Sequence, residues 1–237
     1  MSVNIGGFIF AIILLVVIYS LLSAAYRFYF RTTLRRRIAF IDAYEWPTGL
    51  VEKLSIRHPD LTSNDTDLIS KGLKQFFRAY LRGGRQYVAM PSQAADDLWH
   101  EFILYTRSYQ EFCNKAFGRF LHHTPAVVLA PEQKRNNEGL RRVWWQCCKE
   151  TNIDPVNPAM LPLLFALDQR LNVANGFIYH PDCKQLRKRG AAGVQCGGDF
   201  ASSGYDGDTD GFGESGVDGA DSGGGDGGCG GGCGGGD

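Results

Sequence analysis

Residues 91–125 read PSQAADDLWHEFILYTRSYQEFCNKAFGRFLHHTP, and this stretch decides the fold class. Pro91-Ser92 is a helix entry, because a serine hydroxyl at that point accepts from the orphan N–H groups of a first turn. Turned at ~100° per residue, Ala95, Leu98, Trp99, Phe102, Tyr105, Tyr109, Phe112, Cys113, Ala116, Phe117 and Phe120 fall on one broad stripe. The spacing predicts a single long helix whose apolar face is a core. His100 lies nearly opposite the centre of that stripe, near Asp97, Leu104, Arg107 and Glu111.

The flanking segments carry the same period. Ile38–Trp46 reads as a continuation of an N-terminal helix, and Pro47 suits the first turn of a short helix over Thr48–Arg57. Ser63-Asn64-Asp65 caps a helix running to Arg82, and Gly83-Gly84 ends it. Arg85–Met90 reads as an extended connector or one lone strand. Further patterns at Pro131–Thr151 and Pro158–Leu171 put Leu140, Val143, Trp144, Cys147 and Cys148 inward. Period-two segments are almost lacking, so the fold class is all-α: a bundle of four or five helices over residues 38–190 around an aromatic-rich core.

Before this domain, Ile5–Tyr26 (IGGFIFAIILLVVIYSLLSAAY) contains no charged side chain. At ~1.5 Å per residue it reaches across ~30 Å of hydrocarbon. Tyr26, Phe28, Tyr29 and Phe30 follow as headgroup-level rings, then Arg27, Arg31, Arg35, Arg36 and Arg37, whereas the MSVN flank carries no Lys or Arg. The expectation is an uncleaved single-pass transmembrane anchor over residues 1–37. The positive-inside bias turns the C-terminal domain to the cytoplasmic face of a bacterial inner (plasma) membrane. A cleaved signal peptide would need a basic n-region, which is lacking.

Charge is segregated along the 237 residues. The 25 Lys+Arg balance 25 Asp+Glu, but no Lys or Arg follows Arg189, while nine acids and 20 of the 30 glycines lie beyond Gly190. This distribution is foreign to a uniformly basic nucleic-acid binder, to collagen and to a small disulfide scaffold. Residues 191–237 read as a disordered acidic Gly/Asp-rich tail, too poor in apolar surface to offset the entropy of ordering. Its deletion is expected to leave folding intact. Within it, Asp206 to Glu214 fits positions one, three, five, six and nine of a twelve-residue calcium loop but lacks the closing glutamate, since Val217 stands there. Cys229 and Cys233 read as free thiols on a flexible end.

The chemistry-bearing residues of the middle domain are few. Zinc takes four nitrogen or sulfur ligands, or three ligands plus a water. No CxxC pair is present, and the candidate metal ligands are His100, the doublet His122-His123, His180 and Cys183. Hydrogen bonding of His100 to Asp96 or Asp97 is the plainer fate for that residue, and Asp96-Asp97 themselves read as a first-turn charge. Cys113, Cys147 and Cys148 read as packing residues. No catalytic nucleophile is placed beside a base, so no catalytic residue is assigned. The basic run Lys184–Arg189 holds no interleaved aromatics and is more simply neutralised by the tail than by nucleic acid.

Pro91, Ser92, Asp97, Trp99, His100, Tyr109, Phe112, Cys113, His122 and His123 together resemble the signature of the glycine-rich domain-containing protein-like family, first described in plants and with many bacterial relatives. The likeness covers about 35 residues, and many relatives carry a second histidine where this chain has Phe102. The resemblance implies no reaction, cofactor or substrate. The expected function is a membrane-anchored cytoplasmic interaction or scaffolding protein, with the bilayer as partner through residues 5–26 and a protein partner at the helical domain or tail. The alternative is a membrane-bound, zinc-type metal-dependent enzyme using the His/Cys cluster.

Overall fold

The computed structural model describes residues 5–123, 138–181, 183 and 195–201. Seven α-helices account for most of them: α1 Ile5–Ala43, α2 Leu50–Arg57, α3 Ser63–Arg82, α4 Gln93–Leu104, α5 Thr106–Phe117, α6 Glu138–Thr151 and α7 Leu163–Arg170. Two short parallel strands, β1 Tyr179–His180 and β2 Gln195–Cys196, and a 3-10 turn over Gly197–Ala201 complete the order. The domain is all-α, as the periodicity predicts.

The segment Ile9–Ala43 of α1 is long and apolar enough to cross a membrane, and its most apolar window buries nothing against the domain. The same helix runs on without a break through Leu34, Ile38, Phe40 and Ile41, which join the core, so the apolar segment and the domain share one continuous rod.

Helix α3 is the centre, packed by α1, α4, α6 and α7. It starts in a capping box: the Thr62 hydroxyl accepts from the Asp65 N–H, and the Asp65 carboxylate accepts from the Thr62 N–H. It ends at Gly83, and the chain turns through left-handed backbone at Gly84 and Arg85. Phe77 sits among Trp99, Phe112 and Phe117 at ring separations of 5.0–6.0 Å, and Tyr44 of α1 meets Phe112 at 4.7 Å. These edge and tilted contacts are the favoured aromatic geometries.

The stretch predicted as one long helix is two. The chain breaks at Tyr105, whose backbone leaves the helical region at φ −81° and ψ 60°. Neither proline nor glycine causes the break. Instead the Tyr105 hydroxyl donates to the Thr48 carbonyl oxygen at 3.3 Å and Lys53 lies over its ring, so tertiary contacts override local propensity. Both halves keep the predicted stripe: Ala95, Leu98, Trp99, Phe102, Tyr109, Phe112, Cys113, Ala116 and Phe117 are all buried.

The boundary drawn at residue 191 needs correcting. Cys196 and Phe200 are buried, and Phe200 packs among Trp144, Phe165 and Tyr179 as the closing member of a second aromatic cluster. The domain therefore extends to Ala201, and removing everything after residue 190 would not spare the fold. Glycines hid this segment from the hydropathy pattern, although Gly197 is required: a Cβ there would enter the Trp144 ring. The calcium-like loop, Cys229 and Cys233, and the Lys184–Arg189 run lie outside the described residues.

Candidate metal centre

Helix α4 is anchored at its start by a buried acid from another helix. The Asp168 carboxylate of α7 accepts from the Ser92 hydroxyl at 2.6 Å and from the N–H groups of Gln93, Ala94 and Phe177 at 2.7, 3.2 and 2.9 Å. Ser92 in turn accepts from the Ala95 N–H. Asp168 thus satisfies first-turn donors that would otherwise be buried unpaired, and its charge faces the positive end of the helix. The Pro91-Ser92 entry is explained by this docking.

One turn further on, the two neighbouring aspartates divide their work. Asp97 accepts from Arg57 Nη1 at 3.0 Å and Gln93 Nε2 at 3.2 Å, and lies 2.7 Å from His58 Nε2, joining α2 to α4. Asp96 points the other way. Its carboxylate lies 3.0 Å from His123 Nε2 and 3.4 Å from His100 Nδ1, and the two imidazole rings stand 4.3 Å apart. One donor atom from each of Asp96, His100 and His123 falls within 4.8 Å of the other two. The acid is 6 % exposed, His123 17 % and His100 39 %, so the cluster has a buried floor and an open lip.

The i,i+4 spacing puts Asp96 and His100 on one face of α4. Delivering His123 to them is the task of the segment after α5. Trp99 Nε1 donates to the Tyr109 hydroxyl at 3.1 Å, and that hydroxyl donates to the Leu121 carbonyl oxygen at 2.5 Å. Cys113 is buried beside Tyr109. Trp99 and Tyr109 therefore grip the backbone two residues before His123, while the Trp99 ring lies 4.7 Å from the His123 ring. Phe112, another member of the sequence signature, is pure core.

Of the five predicted ligands, the structure brings together His100 and His123. His122 is exposed and lies against Phe120, the rings 4.7 Å apart and tilted by 57°. His180 stands in β1, and among the described residues it belongs to no cluster of three donors. Cys183 is corrected: in the structure it is disulfide-bonded to Cys196, with Cα atoms 5.7 Å apart beside the paired strands, so while that bond stands its sulfur is not free for a metal. The donor that sequence reading missed is Asp96. Its signal was present in the Asp-x-x-x-His spacing, but a first-turn acid has an ordinary explanation and gave no reason to look further.

Cys113, Cys147 and Cys148 are free and buried, as predicted. Burial holds all three thiols above their usual range; Cys148 is pushed up to about 12, with the nearby Asp154 carboxylate adding to the effect. They are poor nucleophiles at neutral pH. Iodoacetamide at about pH 8 is expected to leave these three unmodified in the folded protein and to label them after denaturation; label on Cys113, Cys147 or Cys148 of the native state, located by peptide mapping, would contradict the packing. Because these thiols ionise later in the folded than in the unfolded chain, their burial stabilises fully below the ordinary thiol range. For Cys148 that contribution is lost as the pH rises from about 9 towards 12.

Two histidines and a carboxylate with a solvent-facing side are the donor types that could hold a metal while keeping one position for water or substrate. Residues 36–200 match the protein family described as UCP032817-like. That range begins within α1, close to where its side chains join the core, and closes at the buried Phe200. No curated protein matches the chain, and no solved structure does.

Proposed function

The chain belongs to the UCP032817-like family, and we propose that it is a membrane-tethered helical domain that holds one divalent transition metal, zinc by ligand chemistry, at Asp96, His100 and His123. The observation that carries this reading is the convergence of three donor atoms, two on one face of α4 and one brought by the Trp99–Tyr109–Leu121 chain, on an acid that is itself buried. A bound metal would supply a Lewis acid and an activated water at the open position. The protein's own residues would fix the tilt of both imidazoles and shut water out from behind, since the Trp99 indole walls one side. This reading favours the metal-dependent alternative over a pure scaffold.

The anchor supports the tether, and the arginines after it favour the cytoplasmic face. The Cys183–Cys196 disulfide is the opposite signal, since such bonds persist in oxidising compartments. The arginines act during insertion, before the domain folds. A reducing cytosol would simply keep the two sulfurs as thiols, so orientation follows the arginines. The likeness to glycine-rich domain-containing proteins and a bacterial origin remain part of this proposal.

Cobalt(II) substitution of the full-length protein in detergent tests the centre. Visible absorption of a low-symmetry cobalt site is expected and should vanish in Asp96→Ala and His123→Ala while surviving in His122→Ala and His180→Ala. Tyr109→Phe, which releases Leu121, is expected to weaken binding about 10- to 100-fold with the ligands intact. A spectrum indifferent to His123 would sink the assignment.

A further inference from the structure

A second site adjoins the first. A cleft of about 350 Å³ opens between the end of α3, the turn at Arg85 and the exit of α5, walled by Tyr80, Tyr87, Trp99 and Phe120 with Arg85 and Arg119 at its sides. Its size is at the lower end of small-molecule pockets. Among the described residues neither arginine has a carboxylate within ion-pairing distance. Arg85 Nη1 donates to the Phe117 carbonyl oxygen at 2.8 Å, and Arg119 Nε donates to the Tyr80 hydroxyl at 3.0 Å. Each guanidinium carries five N–H donors, so most of both forks is left for a ligand.

Two further facts show that this charge is held in place at a cost. Arg37 of α1 also donates to the Phe117 oxygen at 2.8 Å, so two guanidinium groups share one acceptor side by side. Arg85 itself has φ 59°, left-handed backbone that disfavours a side-chain-bearing residue. A glycine would sit there without strain, and like charges crowded together want an anion. Capping of the α5 carbonyl explains one arginine, not three.

We propose that this cleft is an anion site that takes a phosphate group through Arg85 and Arg119, with the aromatic walls receiving the apolar body attached to it. Arg37 lies on the stretch of α1 that leads directly out of the apolar segment, so the phosphate has two sources: a phospholipid headgroup or a soluble phosphate ester. The site does not depend on the metal reading.

The test uses the full-length chain in nanodiscs of phosphatidylcholine alone or with phosphatidylglycerol. Phenyl phosphate is titrated in both and followed by tryptophan fluorescence. Saturable binding in pure phosphatidylcholine that weakens about tenfold or more in Arg119→Gln and Arg85→Gly identifies a soluble ester. Binding in pure phosphatidylcholine that phosphatidylglycerol competes away, with the competition lost in the same variants, identifies the lipid headgroup. Arg85→Gly relieves the backbone, so a folded variant that no longer binds separates recognition from stability. Arg107→Gln, on the exposed face of α5, should change nothing. No phenyl phosphate binding in pure phosphatidylcholine, or binding that both arginine variants retain, would overturn the proposal.

Discussion

Ending the chain at Val194 is expected to abolish stable folding of the domain, although the part removed is mostly glycine, aspartate and serine. The loss falls on seven residues. Phe200 is fully buried against Trp144, Phe165 and Tyr179, and emptying such a site costs about 3–5 kcal/mol. When the protein is oxidised, the Cys183–Cys196 link, separated by 13 residues in sequence, adds about 3 kcal/mol by restricting the unfolded chain. Strand β2 leaves with them, and β1 then has no partner. Together these approach the whole stability of an ordinary domain, about 5–15 kcal/mol. Ending the chain at Ser203 instead should leave thermal unfolding of the domain unchanged. Circular dichroism melts of the two truncations decide the matter: equal melting temperatures would mean that residues 195–201 are not part of the core.

Asp168→Ala is expected to be the most damaging single substitution, at about 3–5 kcal/mol. Removal of the carboxylate strands one hydroxyl and three backbone N–H groups in the interior, and a buried donor without a partner carries the full cost of its desolvation. The effect should reach the metal centre, because Asp168 fixes the first turn of α4 and Asp96 lies within the next few residues. Asp168→Asn is the informative companion. It retains one acceptor oxygen, so it should fall between wild type and alanine in chemical denaturation. An Asp168→Ala protein as stable as wild type would show that water or a neighbouring group takes over those donors.

The helical class, the core stripe and the burial of the three free cysteines were legible in the sequence because each is written in a 3.6-residue period. What escaped it has physical causes. The break at Tyr105 is made by a hydrogen bond to Thr48, 57 residues away, and no local pattern announces it. Cys196 and Phe200 sit among glycines, where single buried residues give no periodic signal. Asp168 carries no local signal, because the hydroxyl and N–H groups it satisfies belong to the start of another helix and to the chain after α7. His100 and His123 were singled out by residue type alone; that they meet, and that Asp96 rather than His180 or Cys183 joins them, depends on the return of the chain after α5.

Metal content of the full-length protein, purified without chelator, tests the central claim most directly. Elemental analysis is expected to find about one equivalent of zinc per chain, reduced to background in His123→Ala with the helical circular dichroism spectrum retained. A folded wild-type protein that contains no metal, and takes up none when zinc or cobalt is supplied, would contradict the account and leave Asp96, His100 and His123 as a hydrogen-bonded cluster that only holds α4 to the end of α5.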